Sequence, residues 1–429
     1  MFQVFRNAWK IEELRKKIWF TLFIILLYRI GNAVPVPFID SALLQSYFSS
    51  LQNTVLGLYN MMSGNAFSSA TIFALSIQPY INASIIIQLL CIAIPALERL
   101  SKEGGEEGRR KINSITRYST VAIGLIMGFA YYLLIRNNSL LAENGSSFWA
   151  AIVIILTFVG GAALLMWLGE QITEYGIGNG ISIILFASIV SRLPSGVARL
   201  ISNLAAGSLS IVGFIGIIIG VAAIVLLIIF VSDAERRIPV QYAKRVVGRK
   251  MYGGQSTYLP MKVNMSGVMP IIFAQAIASL PATIAAFFRQ PAEGSFGAGL
   301  LNFLDTDGVP YMIFYFLLII AFGYFYATIQ FNPIEVSNNL KKNGGFIPGY
   351  RPGKPTSEFI TRVLNRITLF GSLYLGIVAV LPLVFSGITK AGGISLGGTS
   401  VIIVVGVAIE IVQSLENQML MRHYKGFLD

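Results

Sequence analysis

The sequence predicts an all-α polytopic membrane protein: ten transmembrane helices arranged as two pseudo-symmetric, inverted five-helix halves. Three observations lead there. Ten apolar stretches have membrane-crossing length, 26 of the 32 Lys and Arg lie at the ends or in alternate gaps between them, against Arg136, Arg192, Arg199, Arg289 and Lys390 in the other gaps, and the loop pattern is compatible with a repeat of five spans. A hydrocarbon core about 30 Å thick takes roughly 20 apolar residues as a helix. Such stretches occupy 18–36, 70–95, 118–136, 148–169, 177–193, 209–231, 265–288, 310–331, 367–386 and 398–418. Inside hydrocarbon each span must satisfy its own backbone, so these read as helices and not as strands of an open sheet.

The charge pattern orients the spans. The chain has 32 Lys and Arg and a formal net charge of +12. Arg6, Lys10, Arg15, Lys16 and Lys17 precede span 1, and Arg99, Lys102, Arg109, Arg110, Lys111 and Arg117 separate spans 2 and 3. Arg236, Arg237, Lys244, Arg245, Arg249, Lys250 and Lys262 separate spans 6 and 7. Lys341, Lys342, Arg351, Lys354, Arg362 and Arg366 separate spans 8 and 9, and Arg422 and Lys425 follow span 10. If the spans alternate, all of these share one face. Lys and Arg bias loops to the cytoplasm, so both termini are expected there. The basicity is then a cytoplasmic cap, read either as topology alone or as a surface for an acidic partner. The first stretch has charged flanks and no small-residue cleavage site, which predicts a retained span rather than a signal peptide.

A repeat of five spans must enter the membrane from opposite sides in its two copies. The loop pattern is compatible with this: long loops follow the first span of each half, at 37–69 and 232–264, and sizeable ones follow the second, at 97–117 and 289–309. The expected N-terminal half is 1–193, the joint 194–208 and the C-terminal half 209–429.

Several chemistries are disfavoured. Cys91 is the sole cysteine and His423 the sole histidine, which leaves no disulfide, thiolate cluster, HExxH site or Ser-His-Asp triad. There is no GxxxxGK[ST] loop, so any nucleotide hydrolysis belongs to a partner. The spans are nearly bare of charge: Arg29 lies in span 1, Glu170 ends span 4 and Glu410 lies in span 10. No acidic relay is visible, which argues against an ion-coupled transporter. The lack of histidine and of paired acids in the spans argues against an intramembrane enzyme.

What the spans carry instead is breaks and small polar groups. Pro79 sits in span 2, Pro270 and Pro281 in span 7, and Pro382 in span 9, each expected to kink its helix. Span 2 adds Gln78, Asn82, Ser84 and Gln88, and span 7 adds Ser266, Gln275, Ser279 and Thr283. Polar faces on two helices favour a contact away from lipid. That contact is either simple interhelical glue or a seam that parts. The uncharged, Gly- and Ser-broken segment 56–73 fits an interfacial or re-entrant half-helix.

Long strings of the chain resemble the bacterial SecY family, central subunits of the protein-conducting channel. They include YRIGNAVPVP (28–37), IFALSIQPYINASIIIQLL (72–90), EGRRKINSITRY (107–118), MWLGEQITEYGIGNGISII (166–184), RRIPVQYAKR (236–245), QSTYLPMKVNMSGVMP (255–270), FNPIEVSNNLKK (331–342) and FIPGYRPGKPT (346–356). The resemblance implies a clamshell of two five-helix halves around an hourglass pore, with no catalytic residues and no cofactor. It implies an aliphatic ring of Ile77, Ile81, Ile181, Leu185, Ile272 and Ile403 at the waist. An apolar constriction of this kind dewets and stops ions without a moving charge. Leu185 departs in shape from isoleucine but keeps its volume.

The same resemblance implies a plug at about 57–70, centred on Asn60, Ser63, Gly64 and Asn65. It implies a lateral gate between spans 2 and 7, flanked by 3 and 8, where Asn82, Ser84, Gln88, Gln275, Ser279 and Thr283 lie. Signal sequences and apolar segments of a nascent chain would leave there into the bilayer. The loops 232–264 and 332–366 would dock the ribosome or the motor ATPase SecA, through Arg249 and Lys250, Arg351, and with less specific matches Arg237 and Tyr424. SecE-like and SecG-like membrane subunits are the implied permanent partners, and the bacterial cell membrane the implied location.

Overall fold

A computed structural model describes residues 2–50, 55–102, 104–142, 145, 147–207, 210–242, 245–247, 250–252, 256–265, 267–287, 308–389 and 398–425. Helices dominate. In chain order they are α1 (Phe2–Lys10), α2 (Glu12–Gly31), α3 (Ser41–Ser50), α4 (Val55–Met62), α5 (Gln78–Ala93), α6 (Pro95–Lys102), α7 (Gly105–Asn137), α8 (Phe148–Tyr175), α9 (Gly180–Val190), α10 (Leu193–Ala205) and α11 (Ile211–Ser232). Four strands follow, β1 (Glu235–Tyr242), β2 (Arg245–Val247), β3 (Lys250–Tyr252) and β4 (Ser256–Lys262). Then come α12 (Met269–Phe287), α13 (Val309–Gln330), α14 (Pro333–Lys342), β5 (Gly345–Phe346), α15 (Lys354–Thr389) and α16 (Gly398–Lys425).

Each of the ten apolar stretches overlaps a helix, namely α2, α5, α7, α8, α9, α11, α12, α13, α15 and α16. Among the described residues seven helical segments are long and apolar enough to cross a membrane, or eight when α5 and α6 count as one bent span. Local chemistry sets several starts. The Asn179 side chain accepts from the amides of Ile181 and Ser182 at 3.0 and 3.4 Å and caps α9. Ser210 caps α11 through the Gly213 amide at 3.1 Å. Asn332 caps α14 through the amide of Ile334 at 3.1 Å, with Pro333 as its first residue. These caps satisfy amides that a helix start leaves orphaned.

Two of the four prolines start a helix where a kink was expected, while Pro281 and Pro382 lie inside α12 and α15. Pro79 stands in the first turn of α5, so it begins the helix rather than bending it. Residues 63–77 before it run as turns, apart from the Thr71 bridge, and span 2 is shorter than 70–95 suggests. The sharp bend lies at the other end, where α5 and α6 meet at 106° across Ile94. Pro95 accounts for it, because a residue before proline avoids helical geometry, and Ile94 is extended at ψ 113°. Pro270 also sits in a first turn, that of α12, whereas Pro382 lies inside α15.

Packing between helices is close where small residues allow it. Lipid is as apolar as leucine, so van der Waals fit, not water exclusion, draws membrane helices together. A Cβ on Gly323 of α13 would sit 2.7 Å from Ser372 Cβ of α15, and one on Gly376 of α15 would meet the Phe316 ring of α13 at 2.6 Å. Ser372 and Gly376 are one turn apart, so they share a face. The α8–α9 turn is tighter still: a Cβ on Gly180 would lie 1.8 Å from the Gly169 carbonyl oxygen. The helix α11 is the opposite case, with Val212 and Phe230 about four-fifths exposed, as a lipid-facing helix would be.

The connecting segments carry structure that hydropathy does not announce. β1 pairs antiparallel with β4, Ile238 opposite Leu259, and on its other edge with β5, Gln241 opposite Phe346. Ile238 and Val240 point inward onto Met261, Ile347, Ile360 and Leu364, while Arg237, Pro239 and Gln241 face out. The loop after α11 and the loop after α13 are therefore stitched into one platform. β2 and β3 form a separate hairpin, Val247 opposite Lys250.

Candidate functional site

Five of the six aliphatic residues expected at the waist are buried: Ile77, Ile81, Leu185, Ile272 and Ile403, each 2% exposed or less. They belong to one apolar cluster, and Ile181 packs against it partly buried. They come from α5 and its N-cap, α9, α12 and α16, so helices of both sequence halves meet here. Ile77 and Ile181 converge on one point, since a Cβ added to Gly169 would lie 3.5 Å from Ile77 Cδ1 and 3.8 Å from Ile181 Cγ1. No metal-binding group of three or more His, Cys, Asp or Glu occurs among the described residues. The chemistry available at this point is exclusion: side chains of flexible volume that bind no ion and favour no polar ligand.

Residues 57–70 approach the same cluster. Met62 at the end of α4 is buried in it, and its Sδ accepts from Gln78 Nε2 at 3.2 Å. Asn60, Ser63, Gly64 and Asn65 form one interlocked turn. The Asn65 amide donates to the Asn60 carbonyl at 3.0 Å, the Ser68 amide to Asn60 Oδ1 at 2.9 Å, and the Phe67 amide to Ser63 Oγ at 3.1 Å. Gly64 is left-handed (φ +66°) and tight against α9, with room for no more than its hydrogen: a Cβ there would meet the Ser188 carbonyl at 3.1 Å. Tyr28 pins the turn, donating or accepting at 2.6 Å with Ser188 Oγ and donating to the Ser63 carbonyl at 3.3 Å. The far side is held by Tyr131, whose hydroxyl donates to the Phe67 carbonyl and whose ring stacks on Phe67 at 4.3 Å.

The polar residues of α5 and α12 make mostly local contacts. Asn82 reaches Met127 Sδ of α7 at 3.9 Å, Ser84 Oγ accepts from Gln88 Nε2 at 2.9 Å, and Ser279 donates to the Ala276 carbonyl at 3.0 Å. Gln88 Oε1 accepts from the Tyr326 hydroxyl of α13 at 2.8 Å, a bond across 238 residues. Gln275 is buried, and its Oε1, like that of Gln78, has no hydrogen-bond partner among the described residues. Each such orphan costs about 1–3 kcal/mol. Thr283 lies on α12, but its side chain is outside the described residues.

Arg351 is exposed on a loop that is rigid for a local reason. Gly349 and Gly353 on either side are left-handed, at φ +87° and +102°. Thr356 Oγ1 donates to the Arg351 carbonyl and Ser337 Oγ to the Gly353 carbonyl, both at 2.8 Å. Tyr350 stacks on Phe359 at 4.2 Å. Behind this loop a cleft of about 700 Å³ opens between α14 and α15, lined by Asn338, Lys354, Glu358, Arg362 and Asn365. Arg237 projects from β1 and donates from Nε to Glu235 Oε1 at 2.6 Å. Arg249 lies outside the described residues, as do the side chains of Lys250 on β3 and Tyr424 on α16. Sequence reasoning missed Tyr28, Tyr131 and Tyr326. Their signal was a phenol inside an apolar span, where a hydroxyl needs a partner.

A multi-pass helical bundle whose apolar cluster draws on helices from both ends of the sequence is the architecture of a membrane channel subunit. The chain belongs to the SecY family, whose sequence profile matches residues 71–412. It is 44% identical over 443 residues to the protein translocase subunit SecY of Streptomyces scabiei, with both chains covered in full. Its fold matches a solved structure described as a protein conducting channel (TM-score 0.68, 20% identity, 94% of this chain and 92% of the other). It also matches Sec61 in the canine ribosome-channel complex from the endoplasmic reticulum (TM-score 0.62, 19% identity, 94% and 92% covered). Its function is protein translocation through a membrane channel, and it is not an enzyme.

Proposed function

We propose that this chain is a passive, gated pore that passes unfolded secretory polypeptides across the bacterial cell membrane and releases transmembrane segments sideways into lipid. In this reading ten helices form a clamshell of residues 1–193 and 209–429, hinged at 194–208, with both termini cytoplasmic. Its waist is the ring of Ile77, Ile81, Ile181, Leu185, Ile272 and Ile403. The burial of five of these side chains in one apolar cluster, with Ile181 packed against it, is the observation that carries the reading. An extended chain can push branched aliphatic groups aside, whereas water and ions meet a dewetted constriction.

The segment at about 57–70, centred on Asn60, Ser63, Gly64 and Asn65, is the plug that seats beneath the ring, and α5 with α12, flanked by α7 and α13, forms the lateral gate. A segment of roughly 20 apolar residues favours lipid and leaves, while polar segments continue through. The strand-linked platform carrying Arg237 and Arg351 docks the driving partner, SecA or a ribosome. The ribosome-bound canine relative supports the second. Arginine suits both phosphate and carboxylate faces. SecE-like and SecG-like subunits complete the complex. The test is the conductance of the purified complex in planar bilayers after Ile81 and Ile272 are replaced with asparagine. Resting ion leak is expected to rise, and an unchanged conductance removes the ring from the mechanism.

A further inference from the structure

The helix α16 carries both Ile403, one of the aliphatic residues at the waist, and a carboxylic acid inside a span, Glu410. Seven residues separate them, close to two helical turns. The two side chains therefore leave the helix on one face, about 10 Å apart along its axis. Val407 stands on that face between them. Ile403 and Val407 are each 1% exposed, whereas Glu410 is only partly buried. Packing that closes over this face at Ile403 has opened by Glu410. Two bonds show which way it opens. Lys262, the last residue of β4, donates to Gln413 Oε1 at 2.6 Å, and Lys17 of α2 donates to Gln418 Oε1 at 3.1 Å. Glu410 thus lies between the waist and the strand-linked platform. Both ammonium groups go to amide oxygens of α16, and Glu410 makes no ion pair or hydrogen bond among the described residues. An unpaired acid inside a span is tolerated where its helix lines a water-filled cavity, not where it faces lipid.

We propose that Glu410 is a specificity-determining residue that reads the charge of the polypeptide entering the waist, pairing in passing with its Lys and Arg and retarding its Asp and Glu. This rests on the reading of Ile403 as part of the waist. An aliphatic ring carries no charge and cannot tell a cation from an anion. A fixed negative charge two turns before it can. It lowers the energy of a cationic side chain at the entrance and raises that of an anionic one, and low-dielectric walls focus the effect. Because Glu410 has no resident partner, the passing chain has none to displace. The selection is by sign, so it acts on hydrophilic segments that hydrophobicity does not sort.

The test uses the complete translocase in vesicles with no membrane potential imposed, so that only the protein's own field acts on the substrate. Three precursors differ in one short cassette of the exported part: lysines, aspartates or serines. Glu410→Gln keeps the shape and removes the charge. It should slow the lysine cassette about threefold, speed the aspartate cassette about threefold and leave the serine cassette unchanged. Glu410→Lys should exaggerate the same reversal, and Glu410→Asp should keep the original order. Shifts of opposite sign are a signature that a merely structural role would not give. If all three cassettes change together in Glu410→Gln, or none does, the charge reading is wrong. Ile403→Cys in a Cys91→Ser background tests the waist itself, by disulfide formation with a cysteine in an arrested precursor. If no bond forms there, Ile403 is not on the path and the proposal falls with that reading. If the bond forms while the cassettes ignore Glu410→Gln, the waist stands and the charge reading alone is overturned.

Discussion

Ile81 and Ile272 come from helices of opposite sequence halves and are both nearly fully buried, at 2% and 1% exposure. An asparagine at either point puts an amide where there is no partner, and water would follow it, so the leak predicted above should appear with one substitution and grow with two. Two glycines make a sharper contrast in stability. Gly180 has the Gly169 carbonyl where its Cβ would go, at 1.8 Å, whereas a Cβ on Gly216 in α11 would meet nothing within 4 Å. Gly180→Ala should therefore cost about 1–3 kcal/mol by forcing α8 and α9 apart. Gly216→Ala should be neutral or stabilising, by up to about 1 kcal/mol of helix propensity. Thermal unfolding of the detergent-solubilised complex separates the two: a clear drop in midpoint for the first, none for the second.

At the scale of elements, the proposed docking surface rests on the sheet that joins two connecting segments. The pairing of β1 with β4 and β5 holds the segments after α11 and α13 in one sheet, and the Arg351 loop leaves that sheet between two left-handed glycines. Reversing the exposed charge should leave the sheet core of Ile238, Val240 and Met261 untouched. Arg351→Glu is thus expected to insert and fold normally yet lose SecA-driven export by about tenfold or more, with Arg351→Lys between the two. Full export by Arg351→Glu would end the docking assignment. The helices were legible because hydropathy over 20 residues integrates a strong signal: every apolar stretch overlaps a helix. The sheet was not. ERRIPVQY alternates only over Ile238 and Val240, and its partners lie near 260 and 346, so nothing within a local window announces the pairing. Pro79 was legible as a breaker but not as a starter, because a first-turn proline and a kinking one look the same until the preceding turns are seen. The assignment of six aliphatic residues to a ring, and of 57–70 to a plug, rests on family resemblance, since isoleucine in a span has no distinguishing pattern; only the broken, re-entrant character of 56–73 is visible in the residues themselves. Tyr326 was legible as a phenol in need of a partner, but its partner Gln88 was not, because which way a phenol points depends on the rotation of α13 against α5.

At the scale of the whole molecule, the proposed clamshell requires its halves to separate on one side and stay together on the other. Lys17 Nζ donates to Gln418 Oε1 at 3.1 Å and ties α2 to α16, while the α5 side carries the Tyr326–Gln88 bond. A covalent bridge there should be more damaging than any single substitution elsewhere. With Cys91, half-buried on α5, first replaced by serine, oxidation of cysteines at Ser84 and Ala278 should hold α5 against α12. Export of a signal-bearing precursor should then fall by about tenfold or more and return on reduction, because opening by rigid halves is two-state rather than graded. A bridge of the same chemistry placed between α7 and α8, which belong to one half, should leave export unchanged. If the α5–α12 bridge forms efficiently and precursors still cross at the normal rate, the halves do not part along this line.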